Sequence, residues 1–330
     1  MRLHQLRRDS PASNGRTVYG HEMSKMWCFN DKEAGMSLNA MRIAIASGKG
    51  GTGKTTIATN LAVVCAEEGH RVTYADCDVE EPNGHLFLPS EPEDRTEISV
   101  MVPVVPDSVC SLCGICAAAC EYNALAVMGT KVLLFPSLCH SCGACMTLCP
   151  ERALDEGTRP IGFIRSGRFR ELSFIGGSLE VGEAQAPPMI RAIKRRLPAG
   201  ELVIVDAPPG TSCPVVEAIR DTDYVVLVTE PTPFGLNDLR LAVGMLRQLE
   251  LPFGVIINRC DMGDSLVWEY CEQENIRILL ELPFQRRVAE AYASGRLAID
   301  ENQEFRARML TIHQSIVQEM THVRACRSER

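Results

Sequence analysis

Short unbroken apolar runs alternate along the chain with longer stretches in which apolar residues recur every three to four positions. The runs at residues 42–46 (Arg-Ile-Ala-Ile-Ala), 71–76, 202–206 (Leu-Val-Ile-Val-Asp), 224–229 and 253–258 read as buried strands. Residues 54–68 read as a helix on Ile57, Leu61, Ala62 and Cys65, and residues 188–197 and 236–249 read as two more. Strand and helix in alternation predict an α/β fold with a doubly wound, mostly parallel sheet. Residues 161–164 and 172–175 are further short strands on this reading. Residues 303–320 form a helix with Phe305, Met309, Ile312, Ile316 and Met320 on one face. That helix carries Glu304 and Glu319 and lacks a basic cluster, so it is expected to pack on the domain and not on a membrane.

Composition narrows the setting. The net charge of −8 argues against a nucleic-acid partner held by bulk electrostatics, and the 5% aromatic content offers little base-stacking surface. No apolar run approaches the roughly 18 residues of a membrane span, and residues 1–40 lack the apolar core of a signal peptide, so a cytoplasmic protein is expected. Fifteen cysteines in that compartment call for an explanation other than disulfides. Residues 1–40 mix charges without sustained periodicity and read as a disordered extension. Met41 directly precedes the first strand and is an alternative biological start.

The chemistry begins at Ser47-Gly48-Lys49-Gly50-Gly51-Thr52-Gly53-Lys54-Thr55-Thr56, between the first strand and the first helix. Glycines there let successive N–H groups turn toward phosphate oxygens, and the helix N-terminus adds partial positive charge. Lys54 is the expected β/γ-phosphate lysine and Thr55 the Mg²⁺ ligand. Lys49, five positions earlier, makes this a deviant Walker A pattern that resembles the MinD/ParA/Mrp and nitrogenase iron protein group of P-loop ATPases. The resemblance implies an ATP-dependent homodimer in which Lys49 acts on the partner's nucleotide. It also implies that Asp78 is the switch I carboxylate that orients water, and that Asp76 belongs to the Mg²⁺ network; capping or turn roles are the alternatives for both. Asp206 closes an apolar strand as a Walker B carboxylate holding Mg²⁺. Ala207-Pro208-Pro209-Gly210-Thr211 follows as switch II, where Gly210 can track the γ-phosphate. Asn258-Arg259-Cys260-Asp261 is similar to the group's base-recognition site and Pro283 to the segment packed on adenine, which favours ATP over GTP.

Residues 107–156 break the α/β rhythm. Cys110, Cys113, Cys116 and Cys120 are spaced C-x₂-C-x₂-C-x₃-C, and Cys139, Cys142, Cys145 and Cys149 repeat the spacing 29 positions on. Three close cysteines can hold three corners of an iron–sulfur cubane and leave the fourth to a distant thiolate. The segment resembles a bacterial two-[4Fe–4S] ferredoxin, which implies one cluster on Cys110, Cys113, Cys116 and Cys149 and another on Cys139, Cys142, Cys145 and Cys120. Zinc is the competing metal, although its sites are usually two C-x₂-C pairs across a longer loop. Pro150 follows Cys149 as the pattern expects, but Glu121 follows Cys120, which is expected to loosen that turn and alter hydrogen bonds to sulfur. Residues 124–128 and 131–135 read as short strands covering the clusters and keeping water out. Cys213, seven residues after Asp206, sits where the nitrogenase iron protein has a bridging-cluster ligand. With no matching second cysteine it reads as a buried small thiol, and Cys28, Cys65, Cys77, Cys260, Cys271 and Cys326 read as structural.

The expected organisation is therefore an extension (1–40), a P-loop ATPase first part (41–106), a ferredoxin-type insert (107–156) and an ATPase second part (157–330). The expected function is ATP binding and hydrolysis coupled to electron transfer through two [4Fe–4S] clusters, with a redox or iron–sulfur acceptor protein as partner. Two alternatives stand beside it: an iron–sulfur carrier whose clusters are cargo, and a MinD-like positioning ATPase whose clusters are sensors or struts.

Overall fold

The computed structural model describes residues 41–106 and 109–328, so the expected extension and the side chain of Cys28 lie outside the described residues. The chain runs β1 (Arg42–Ala46), α1 (Lys54–Glu67), β2 (Val72–Asp76), α2 (Gly84–Phe87) and β3 (Glu91–Val104). It continues through α3 (Ile115–Ala118), β4 (Leu125–Met128), β5 (Lys131–Leu134), α4 (Ala144–Thr147), β6 (Asp155–Phe169), β7 (Leu172–Leu179) and α5 (Ala186–Lys194). After β8 (Leu202–Asp206) come α6 (Cys213–Ile219), β9 (Tyr224–Thr229), α7 (Pro233–Gln248), β10 (Phe253–Asn258) and α8 (Leu266–Gln273). The last elements are β11 (Ile278–Leu282), α9 (Arg286–Ala293), α10 (Ala298–Glu301) and α11 (Gln303–Ser328).

Nine strands form one sheet in the order β11-β10-β9-β1-β8-β2-β7-β6-β3. The seven from β11 to β7 are parallel; β6 runs antiparallel to both β7 and β3. The unbroken apolar runs are explained by burial on both faces. Ile43, Ile45, Tyr74, Ile204 and Val226 point to a core shared with α1 and α11, while Ala44, Ala75, Val203, Val205 and Leu227 point to one shared with α5, α6 and α7. Phe305, Met309, Ile312, Ile316 and Met320 are all buried in the first of these cores, so α11 packs on the domain as expected, and it runs on beyond residue 320.

The edge differs from the expectation. Instead of two short strands at 161–164 and 172–175, β6 spans 15 residues and pairs along its length with the 14-residue β3, which the apolar runs did not reveal. The signal was a different period. Ile98, Val100, Val102 and Val104 alternate with other residues, as on a ribbon that buries only one face, and Val100 and Val102 are the buried pair. Pro103 is tolerated because β3 is an edge strand. The ribbon carries residues 105–154 at its far end.

That small subdomain is built twice. Leu112 and Ser141 both have φ of 57°, Asn123 and Arg152 have 52° and 49°, and Gly114 and Gly143 have 77° and 72°, each pair 29 positions apart. Each glycine caps a one-turn helix, α3 or α4, in the left-handed conformation that a side chain would strain. The hairpin β4–β5 joins the halves. Leu125 of this hairpin is buried and Met128 is 59% exposed, as on a two-stranded sheet that covers the subdomain with one face.

Candidate functional site

The loop at residues 47–53 and the start of α1 open onto a cavity of about 310 Å³. Gly50, Gly51, Gly53, Lys54, Thr55 and Thr56 line it, and so do Asp78, Asn258 and Pro283, which the fold brings from the ends of β2, β10 and β11. All of these strands end on the same rim, where parallel sheets hold ligands. Gly53 is required as glycine: its φ is 97°, and a Cβ there would lie 2.7 Å from the Asn258 amide nitrogen. That amide donates to the Thr52 carbonyl at 2.8 Å, and its oxygen accepts the Arg259 N–H at 3.0 Å. Asn258 thus braces the loop, with one amide hydrogen left over from these two bonds. Asp261 accepts the Phe284 N–H at 2.6 Å and so fixes the Pro283 segment. Phe284 of the same segment and Tyr292, which the motifs did not indicate, complete an apolar wall.

Two buried carboxylates face the phosphate end. Asp76 and Asp206 are register partners on β2 and β8, and burial pushes both carboxyls up, with Asp206 adding to the rise of Asp76. Their hydrogen bonds separate their roles. Asp76 spends its oxygens on the backbone N–H groups of Asp78 (3.2 Å) and Gly84 (2.9 Å), so it organises the loop after β2. Asp206 Oδ2 accepts the Tyr74 hydroxyl at 2.9 Å, whereas its Oδ1 is buried without a hydrogen-bond partner. The Thr55 hydroxyl and the Lys54 ammonium face the same carboxylate and restrain its rise. An orphaned carboxylate oxygen beside a hydroxyl is the oxygen donor set Mg²⁺ takes. Asp78 lines the cavity and is pushed up to about 6, first by burial and then by Asp206.

Four residues expected at the nucleotide do not line this cavity: Gly48, Lys49, Thr52 and Gly210. The Lys49 ammonium lies 3.6 Å from Glu230, which also accepts from Arg259 at 2.7 Å. Gly210 donates its N–H to the Ser47 carbonyl at 2.9 Å, so in this conformation that hydrogen is committed to the loop and not to a phosphate. Cys213 is a correction. It is exposed at the start of α6 and not a buried thiol, because the segment after β8 turns outward before Val215 re-enters the core. Cys65, Cys77 and Cys271 are buried as expected, and Cys260 is partly so.

The repeated cysteines gather in two cavities, and each cavity mixes the repeats. Cys110, Cys113 and Cys116 line one together with Cys149; Cys139, Cys142 and Cys145 line the other together with Cys120. The crossed cysteines are held alike: Cys120 Sγ accepts the Ala124 N–H and Cys149 Sγ the Ala153 N–H, both at 3.3 Å. The turn at Glu121 is therefore no looser than the one at Pro150, contrary to expectation, because the left-handed residues Asn123 and Arg152 set both turns. Among the described residues no group of three or more such side chains is placed to hold a single metal ion. Each cavity thus has four cysteines in its lining, one of them accepting a backbone N–H, and thiolate is the donor an iron–sulfur group takes.

The comparisons agree with this geometry for the larger part of the chain. An uncharacterized protein of Methanocaldococcus jannaschii is 31% identical over 264 residues, covering 79% of this chain and 91% of that one. The iron-sulfur cluster carrier protein of Pyrococcus furiosus is 23% identical over 276 residues, 77% of each chain. Among solved structures, the septum site-determining protein MinD of Pyrococcus horikoshii, complexed with Mg-ADP, superposes with a TM-score of 0.51 at 20% identity, covering 83% of this chain and 94% of that one. No described helix is long and apolar enough to cross a membrane. The family described as the CobQ/CobB/MinD/ParA nucleotide binding domain matches residues 43–299, and with this loop, sheet and carboxylate rim the chain belongs to it.

Proposed function

We propose that this protein binds and hydrolyses ATP as a homodimer and couples that cycle to electron transfer through two [4Fe–4S] clusters held by a ferredoxin-type insert at residues 107–156. The flanking segments 41–106 and 157–330 then form one ATPase domain. The single observation that carries this reading is the exchange of fourth cysteines, Cys149 into the cavity of the first repeat and Cys120 into that of the second. Such exchange is how two-cluster ferredoxins close both sites in one chain.

At the nucleotide site the backbone of residues 50–55 cradles phosphate, Lys54 neutralises its charge, and Asp78 orients water. Thr55 and Asp206 would hold Mg²⁺, which when bound supplies charge neutralisation at the β- and γ-phosphates. Asp76 keeps the Asp78 loop in place through its two backbone hydrogen bonds. Lys49, held by Glu230 outside its own cavity, is free to serve a partner's nucleotide once that ion pair opens. Asn258 and the Pro283 segment receive adenine. Positioning and electrostatics supply most of the rate.

A carrier role, with clusters as cargo, is supported by the relative named an iron-sulfur cluster carrier protein. The crossed thiols favour the electron-transfer reading, because releasing either cluster means breaking ligation from both halves of the subdomain. Anaerobic EPR of the reduced protein, with iron and zinc quantified, tests the two. About eight irons per chain and two cubane signals whose spectra or midpoint potentials respond to Mg-ATP, Mg-ADP or a non-hydrolysable analogue are expected. Clusters that leave for an apo-acceptor on adding ATP point to the carrier role, and clusters indifferent to nucleotide end the coupling idea.

A further inference from the structure

Gln185 joins the nucleotide-responsive loops to one of the two cysteine cavities. It is buried, at 6% exposure, immediately before α5, and its side-chain amide donates to the carbonyl of Cys139 at 2.5 Å. Its backbone N–H donates to Glu183 at 2.9 Å, and Glu183 is ion-paired with Arg159 on β6, so the residue is gripped from behind. Resting on the proposed function, we propose that Gln185 is the positioning residue through which the loops after β2 and β8 act on the cavity of Cys139, Cys142, Cys145 and Cys120, and that the other cavity is not addressed.

The path is made of short steps. The loop after β2 is bonded directly to the end of β7, where the Leu179 N–H donates to the Val79 carbonyl at 3.0 Å. There is no slack beside it: a Cβ on Gly177 would lie 3.0 Å from a Val79 methyl. From β7 the chain turns through Glu180, which donates to Ile161, and Glu183, which donates to Glu180, before reaching Gln185. The next residue, Ala186, shares a cavity of about 320 Å³ with Asp78, Val79 and Glu81 from the loop after β2 and with Pro208, Pro209 and Ser212 from the loop after β8. A displacement of the loop after β2 therefore reaches Gln185 through β7, while the loop after β8 faces Ala186 across that cavity. A buried hydrogen bond is costly to leave unmade, so the Cys139 carbonyl follows the amide.

The asymmetry is specific. Cys110 is the counterpart of Cys139 in the first repeat, yet no described side chain donates to its carbonyl, and its cavity is lined by Val105 and Leu154 at the outer end of the ribbon. Cys139 instead packs with Val102 and Ala124 against β3. Hydrogen bonding and dipoles around the sulfurs set the potential of an iron–sulfur site, so a moved carbonyl at one cavity separates the behaviour of the two.

The test uses the full-length, iron-loaded protein under anaerobic conditions, with Mg²⁺ and a non-hydrolysable ATP analogue as probe. Amide hydrogen exchange is expected to change by about threefold or more at residues 139–145 and to stay unchanged at 110–116, with only one of two EPR-resolved midpoint potentials shifting on nucleotide binding. Gln185→Leu is expected to keep nucleotide affinity and iron content and to lose both responses. A wild-type response centred on residues 110–116, or a Gln185→Leu protein that responds like wild type, overturns the inference and leaves the coupled-ATPase reading standing. A wild-type protein with no nucleotide response at either repeat overturns both. The wild-type exchange pattern decides the asymmetry even where the variant does not fold.

Discussion

Tyr74 donates its hydroxyl hydrogen to Oδ2 of Asp206 at 2.9 Å, between adjacent parallel strands and with both residues buried. The ring is fixed by a near-parallel stack on Phe174 at 5.8 Å. One carboxylate oxygen is thereby pinned and the other left facing Thr55. Tyr74→Phe removes the donor and leaves a buried carboxylate oxygen unpaired, which costs about 1–3 kcal/mol of stability. The expected outcome is a lower melting temperature together with a higher Mg²⁺ requirement for ATP turnover; unchanged Mg²⁺ dependence means that Tyr74 serves only the core.

Lys49 rests on Glu230 and not on its own nucleotide cavity. Lys49→Ala is expected to leave ATP affinity within about threefold while turnover falls by roughly a hundredfold, because charge is lost only where the transition state forms. Mixing Lys49→Ala with Asp78→Ala protomers should restore part of the turnover, since one composite site then has both groups. A mixture as inactive as its components shows that Lys49 acts within its own chain.

The exchange of Cys120 and Cys149 between cavities makes an unusual prediction about location. Cys149→Ser should weaken the cluster of Cys110, Cys113 and Cys116, the other repeat's cysteines, and iron should fall from about eight toward about four per chain. Pairing Cys149→Ser with Cys110→Ser should cost no further cluster. If the double variant loses both, each repeat closes its own site.

His313 on α11 is buried with its ring 4.9 Å from that of His70, and burial followed by the His70 charge lowers it to about 4 from 6.5. The folded state resists protonation there, so its stability is fully present above pH 6.5 and declines as pH falls toward 4. Over that window the loss amounts to about 3 kcal/mol. Urea midpoints measured from pH 7.5 to pH 4 should show a smaller decline for His313→Leu than for wild type; parallel curves place the acid sensitivity elsewhere.

Much of the nucleotide-binding domain was legible because its strands are buried on both faces, and a run such as Leu202–Asp206 leaves few other readings. The edge ribbon was less so: β3 alternates, and alternation in a segment containing Pro103 gives a weak strand signal. Tyr74 was hidden for another reason. An aromatic residue in a strand usually means packing, and only the facing Asp206 turns its hydroxyl into part of the site.

Sequence by itself determined the family, the phosphate loop, the paired strand-end carboxylates and the twofold cysteine spacing, because each depends on residues close together in the chain. Tertiary structure decided what depends on distant partners. It gave Asp76 to the backbone and left Asp206 an open oxygen, turned Cys213 outward, set Lys49 on Glu230, and tied Gln185 to Cys139 across 46 residues of chain. Which buried polar atom is satisfied, and by whom, is settled by packing that local sequence does not encode.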